Sequence, residues 1–87
     1  WDPAKATTNL KKHGIDFHEA ATVLSDALST TYPDVDHSSL AELRFVTVGM
    51  SEQNRILVVA HIEQSDAIRI ISARQATRRE RKFYEEG

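Results

Sequence analysis

The strongest constraint on the fold is the spacing of three β-rich runs in the second half of the chain. Short polar connectors at residues 51–54 and 63–66 separate these runs. Connectors of this length join antiparallel neighbours, because a parallel crossover needs about a dozen residues or more. The sequence therefore predicts an antiparallel meander with strands at Leu43–Met50, Arg55–Ile62 and Ala67–Ala73.

Two helices are predicted in front of the sheet. Pro3 to His13 forms the first, with Asp2 as its cap and Gly14 as its stop. His13 follows apolar residues at helical spacing, so its imidazole is expected to point toward the fold. The second helix opens on a capping box and ends near residue 25. Its capping pair is Asp16 and Glu19, and its apolar stripe is Phe17, Ala20, Ala21 and Leu24.

The remaining elements complete an α+β layout. Ala27–Tyr32 is predicted to be a short first strand that Pro33 closes, and a polar acidic loop follows over 34–40. The charged segment Ala76–Glu86 favours a closing helix. The chain is thus predicted to be a single domain over residues 1–87, with two N-terminal helices, a four-stranded antiparallel sheet and a C-terminal helix.

Composition excludes several classes of protein. With 40% apolar and 28% charged residues, the chain is typical of globular proteins rather than disordered ones. It contains no Cys, which excludes disulfide frameworks and fits a cytoplasmic location. No apolar run reaches the roughly 18 to 20 residues of a membrane helix, so no membrane partner is expected. A signal-peptide pattern is absent, and a chain that begins at Trp1 rather than Met predicts native residues in front.

Charge is strongly segregated along the chain. Residues 13–43 contain no Lys or Arg and six acidic residues, whereas residues 69–82 contain six basic residues and one acid. The basic segment suits a polyanion or an acidic protein partner, although a solvated helix face would have the same composition.

Pairing of the first predicted hairpin places two chemically active residues together. If its connector contributes four loop residues, Arg44 lies directly opposite His61 on one face of the sheet. A cation and a titratable base would then share one end of the sheet.

Familiar catalytic motifs are missing from the sequence. There is no Gly-rich phosphate loop, and the four His, at positions 13, 18, 37 and 61, lack the spacing of a metal site. We therefore predict no metal and no cofactor. Abundant Arg with scattered His and carboxylates suits metal-free RNA cleavage, in which the nucleophile is the substrate's own 2′-hydroxyl.

Each candidate residue has a structural alternative. His13 lies in the last turn of a helix, where the helix dipole favours a cationic imidazole without any catalytic role. Glu80 lies on the apolar stripe of the last helix and is predicted to be a structural partner of an Arg. For Arg74, function and salt bridging are equally compatible with its place between strand and helix, whereas His18 and His37 are assigned to solvent.

Several motifs, in their order along the chain, resemble the BrnT toxin family. They are Trp1-Asp2-Pro3-x-Lys5, Lys12-His13-Gly14-Ile15, Phe17-x-Glu19-Ala20, Arg44-Phe45 and Ser72-Ala73-Arg74-x-Ala76-Thr77-Arg78-x-Glu80-Arg81. The resemblance implies a RelE-like fold and a ribonuclease that arrests translation. It also implies neutralisation by a BrnA-type ribbon-helix-helix antitoxin, through which alone the pair contacts its operator DNA.

The matched motifs and the basic segment give a set of candidate site residues. The candidate catalytic residues are His13, Arg44, Arg74, Arg78 and Arg81. The candidate RNA-binding residues are Lys12, Arg69, Arg79 and Lys82, and Glu80 is the structural one.

Two other functions fit the composition. A non-catalytic binding module could use the basic C-terminal segment to dock an acidic protein, and it would not cut RNA. A stand-alone DNA-binding regulator is less favoured, because no helix-turn-helix frame surrounds the Arg cluster.

Overall fold

The computed structural model describes residues 1–64 and 66–87. Its helices are α1 (Pro3–His13), α2 (Phe17–Val23) and α3 (Arg78–Glu86), with a short 3₁₀ turn at Val35–His37. Its strands are β1 (Thr30–Pro33), β2 (Arg44–Met50), β3 (Ile56–Gln64) and β4 (Ala67–Gln75). The predicted α+β order is confirmed. The predicted connector 63–66 is shorter than expected because β3 continues to Gln64, and its residue Ser65 lies outside the described residues.

All four strands form one antiparallel sheet in the order β1-β2-β3-β4. The meander predicted from the short connectors is therefore confirmed. Within the described chain, no helix is long and apolar enough to span a membrane.

Helix α1 covers the outer edge of β4. Asp2 caps the helix by accepting the Ala4 backbone N–H at 2.9 Å, and Gly14 ends it with a left-handed φ of 70°. The buried Asn9 amide then pairs with the exposed edge of the sheet. Its Nδ2 donates to the Ala73 carbonyl at 2.9 Å, and its Oδ1 accepts the Ala73 N–H at 3.0 Å. The Ala73 backbone groups, which could otherwise pair with a strand of another chain, are thereby hydrogen-bonded within the protein.

Helix α2 packs its apolar side on the sheet to form the core. Phe17, Ala20 and Val23 are fully buried against residues of β3 and β4 such as Leu57 and Ile70. We call this side of the sheet the core face. The predicted stripe is right for Phe17 and Ala20, which are buried, and for Ala21, which packs partly buried against the core, whereas Val23 takes the buried position expected for Leu24.

The predicted capping box of α2 is wrong. Asp16 does cap the helix, through the His18 backbone N–H at 2.6 Å, but Glu19 does not reach back to it. Its carboxylate is buried and binds the Arg55 guanidinium and the Ser51 hydroxyl, the latter at 2.7 Å. An ion pair with Arg55 compensates burial of this charge, which a backbone N–H could do only in part.

The predicted opposition of Arg44 and His61 is also wrong. Arg44 pairs with Ile62, and His61 pairs with Phe45, so Arg44 and His61 lie on opposite faces of the sheet. The β2–β3 turn closes on a hydrogen bond from Ser51 N–H to the Arg55 carbonyl at 2.8 Å, and Asn54 has a left-handed φ of 63°. This leaves three loop residues instead of four, and a one-residue change in register exchanges the two faces.

Candidate functional site

The face of the sheet opposite the core face carries three arginines. Arg44 and Arg69 both pair with Ile62, from the two strands that flank β3, and Arg74 pairs with Val58 on the same side of β3. We call this side the arginine face.

A β-bulge in β4 makes this arrangement possible. Arg69 and Arg74 are five positions apart, so strict alternation would place them on opposite faces. Ala60 pairs with Ser72 and the next residue, His61, pairs with Ile70, which leaves Ile71 as an extra residue in β4. This one-residue shift restores both arginines to one face.

Arg44 has a guanidinium with spare hydrogen-bonding capacity. Its Nε is buried and has no hydrogen-bond partner among the described residues. Its Nη2 is 3.9 Å from the Glu42 carboxylate, which is too long for a hydrogen bond. The side chain is 32% exposed and its contact with Glu42 is weak, so the terminal nitrogens of Arg44 are available to bind an anion.

Arg74 is already paired with a carboxylate. Its Nη1 and Nη2 donate to the two oxygens of Glu80 at 2.7 and 2.9 Å. These hydrogen bonds raise the pKa of Arg74 and lower the pKa of Glu80 to about 2. Tyr32 of β1 lies close enough to add to the rise in the pKa of Arg74. Arg74 is therefore held at the end of β4, beside the first turn of α3.

Glu80 also organises that first turn. It accepts the Thr77 backbone N–H at 2.9 Å, while the Thr77 hydroxyl accepts the Glu80 N–H at 3.2 Å, which completes a capping box. At its other end, α3 is attached through the Tyr84 hydroxyl, which donates to Asp26 at 2.5 Å.

Lys12 and His13 lie in a groove between α1 and the edge of β4. They share this groove with Lys5, Ile71 and Ser72. The expectation that His13 points into the fold is wrong, because the residue is exposed. Ser72 belongs to the arginine face through its pairing with Ala60, so the groove and the arginine face meet at this residue.

The basic residues of α3 do not form one cluster. Arg79 borders a groove with Tyr32 and Phe83, whereas Arg81 borders a different cavity beside Arg55. Arg78 and Lys82 are exposed, and Lys82 lies 4.0 Å from Glu86. The helical period spreads adjacent cations around the axis.

Sequence reasoning missed the buried polar residues. His61 is buried on the core face, where its Nε2 lies 2.8 Å from the Thr47 hydroxyl, and burial lowers its pKa. Glu19 was considered only as part of a cap. No signal in the sequence marked it, because it lies on the side of α2 opposite the predicted apolar stripe. Across the described positions, no three His, Asp or Glu side chains are grouped to hold a metal ion.

The arrangement presents guanidinium groups on a surface that solvent reaches. Arg44 and Arg69 lie two strands apart, or roughly 10 Å, a spacing that suits successive phosphates or one phosphate and its neighbouring groups. The His13 groove meets this surface at Ser72. The chemistry that these groups favour is binding of a phosphodiester together with proton transfer next to it.

Comparison with protein families gives one match. A family model described as "Ribonuclease toxin, BrnT, of type II toxin-antitoxin system" matches residues 1–80 of the 87. A comparison with curated proteins found no match.

Proposed function

Because the chain belongs to the BrnT family of type II ribonuclease toxins, we propose that its arginine face binds and cleaves RNA without a metal ion. The observation that carries this proposal is the convergence of Arg44, Arg69 and Arg74 on one face through the β4 bulge. Membership of a type II system implies an RNA substrate and an antitoxin partner. We propose that this partner is a BrnA-type ribbon-helix-helix protein and that the pair acts in the cytoplasm.

In the proposed reaction, the 2′-oxygen of the RNA attacks the adjacent phosphorus. A bond forms from this oxygen to phosphorus, the bond from phosphorus to the 5′-oxygen breaks, and a 2′,3′-cyclic phosphate and a 5′-hydroxyl result. A base takes the 2′-hydroxyl proton and an acid protonates the departing 5′-oxygen. The nucleophile belongs to the substrate, so the protein supplies only positioning, proton transfer and positive charge.

Residues are assigned to these roles by their place around the arginine face. Arg44 and Arg74 stabilise the charge that develops on the phosphate. His13 is the proposed proton-transfer group, because its groove meets the arginine face at Ser72. Further cations contact the RNA from the helices and the end of the sheet. Arg79 of α3 borders a groove on this face and Lys12 and Arg69 lie elsewhere around it, whereas Arg78, Arg81 and Lys82 add positive charge around the helix.

Neutralisation is proposed to work by covering this surface. Arg forms bidentate hydrogen bonds equally well with phosphates and carboxylates, so acidic residues of the antitoxin can occupy the positions that RNA needs. The antitoxin and RNA would then compete for the protein.

Purified protein incubated with RNA in EDTA tests the proposal. Cleavage should persist in EDTA and should end in a 2′,3′-cyclic phosphate, whereas 2′-deoxy substrate should stay intact. Arg44→Ala should slow cleavage by about 10² to 10³. Lys11→Ala, which removes an exposed charge of α1 outside both surfaces, should cleave normally. A protein that binds RNA and never cuts it would instead be a binding module.

A further inference from the structure

A groove on the arginine face lies between two aromatic side chains. Tyr32 of β1 and Phe83 of α3 border it, together with Val48 of β2, Arg79 and Glu80. Its volume is about 300 Å³. We call it the aromatic groove.

Both rings are accessible to a ligand. Tyr32 is 41% and Phe83 is 62% exposed, whereas Val48, which forms the floor, is only 3% exposed. In the part of the chain that the structure describes, neither ring stacks on another aromatic ring. Two exposed ring surfaces therefore border one apolar gap.

The two walls of the groove are held in position by contacts with the rest of the fold. Tyr32 pairs with Val46 in the sheet. The opposite wall, α3, is attached at its first turn through Arg74 and Glu80 and at its last turn through Tyr84 and Asp26. Because these contacts already order the walls, binding of a ligand here carries a small free-energy cost for ordering the site.

The charges around the groove decide which ligand fits. Arg79 stands at its border, and Arg74 is linked to it through its ion pair with Glu80. Glu80 is the one acid of the lining among the described residues, and Arg74 already neutralises it. An apolar interior with two aromatic rings and a cationic border matches a nucleotide, whose base stacks on rings and whose phosphate needs a cation. The volume is at the lower end of ligand sites, which suits one base.

We propose that the aromatic groove binds one unstacked base of single-stranded RNA, with the ring planes of Tyr32 and Phe83 against the base and Arg79 on its phosphate. The proposal rests on the ribonuclease function and adds the substrate class: the strand must be single, because a base inside a duplex cannot leave its stack without cost. The proposal assigns base recognition to the aromatic groove, whereas Arg44 and Arg74 act on the phosphate that is cleaved.

Binding of a 2′-O-methyl RNA oligomer tests the groove, since this RNA has no free 2′-hydroxyl and is not cut. Tyr32→Ala and Phe83→Ala should each weaken binding by about 5-fold to 100-fold, as expected for loss of one base–aromatic stack. Tyr32→Phe keeps the ring and should bind within about two-fold of wild type. Leu28→Ala, a control that removes an apolar side chain 76% exposed, should have no effect. The same oligomer with abasic sugars should bind wild type and both alanine variants equally.

Unchanged affinity in both alanine variants would overturn the proposal, and so would an equal loss on the abasic oligomer. If RNA affinity stays unchanged while the same variants escape neutralisation by the cognate antitoxin, the groove belongs to that protein instead. A wild-type protein that binds the 2′-O-methyl oligomer and cuts no RNA would defeat the proposed catalysis and leave the groove to be judged by the binding series alone.

Discussion

Glu80 accepts hydrogen bonds from both terminal nitrogens of Arg74 and from the backbone N–H of Thr77. One carboxylate therefore joins the end of β4 to the first turn of α3. These contacts lower the pKa of Glu80 from 4.5 to about 2. A carboxylate whose pKa is lowered by folding stabilises the fold at pH values above its pKa in the unfolded chain. That contribution is lost as the pH falls to its pKa in the folded chain. The contribution of Glu80 should therefore be complete above pH 4.5 and vanish near pH 2.

Glu80→Gln should lower the free energy of unfolding by about 1–2 kcal/mol at neutral pH, between the values for exposed and buried ion pairs. The difference from wild type should shrink toward pH 2, and urea unfolding across this range measures it. Glu85→Gln, an exposed acid on the same helix, is the matched control. We expect the main effect on the free energy of unfolding, with the cleavage rate per folded molecule little changed. A stable Glu80→Gln protein that cuts no RNA would make Glu80 a general base.

Arg55→Ala should destabilise the fold strongly, because it leaves the buried Glu19 carboxylate without its cation. The Glu19 side chain is 1% exposed, and loss of a partner from such a pair costs about 3 kcal/mol or more. Thermal unfolding measures the loss, with Lys11→Ala as the control. The Arg55 hydrogen bonds lower the pKa of Glu19, so the difference should narrow in acid, where the orphaned carboxyl becomes neutral. A loss that stays constant as the pH falls would argue against the ion pair.

The elements whose ends are set by strong local signals were predictable, whereas those that depend on a permissive turn residue or on distant partners were not. Helix α1 has the predicted bounds, since Asp2 and Gly14 set its ends. The register of the first hairpin was missed because it depends on Asn54, whose left-handed conformation a sequence permits without requiring. Glu19 was misassigned because its partner, Arg55, is 36 residues away.

For the candidate site too, the sequence identified residues without showing how the fold arranges them. Sequence alone identified the three arginines, and it could not show that they share a face, because the bulge at Ile71 has no Gly or Pro to signal it. Tyr32 was recognised only as a strand former. Its place in the aromatic groove depends on the pairing of β1 with β2 and on the position of α3, both set by tertiary packing.

His61 should make stability depend on pH in a window where carboxylates do not titrate. Burial lowers its pKa below 6.5, and the nearby Glu63 offsets this only in part. The unfolded chain then binds more protons, so stability is complete above pH 6.5 and falls as the pH decreases below it. The slope for one proton is at most about 1.4 kcal/mol per pH unit.

His61→Gln should flatten this part of the pH profile, as measured by urea unfolding between neutral pH and pH 5. Thr8→Ala, which changes an exposed side chain that does not titrate, should keep the wild-type slope. An unchanged slope in His61→Gln would show that the imidazole does not titrate differently in the folded and unfolded states.

Asn9→Leu should destabilise the junction of α1 with β4. The Asn9 amide makes hydrogen bonds to Ala73 on both sides and donates to the Ile15 carbonyl at 3.0 Å. A leucine of similar size would leave these buried backbone groups unpaired, at a cost of about 1–3 kcal/mol for each group that water cannot reach.

Thr8→Ala, on the exposed side of the same helix, is the control for Asn9→Leu. Hydrogen exchange at the Ala73 amide reports the contact directly and should speed up in Asn9→Leu before the protein unfolds globally. Exchange at the wild-type rate would mean that the amide is protected by something other than Asn9.

The extra residue at Ile71 reverses, partway along β4, which residues face each side of the sheet. Residues 72–75 keep one alternation of sides and residues 67–70 keep the other. Deletion of one residue here would give β4 a single regular alternation, and either Arg69 or Arg74 would then face the apolar core. Exchange of one residue for another at Ile71 changes only a side chain, whereas a change of chain length at this point decides which side of the protein carries its charge.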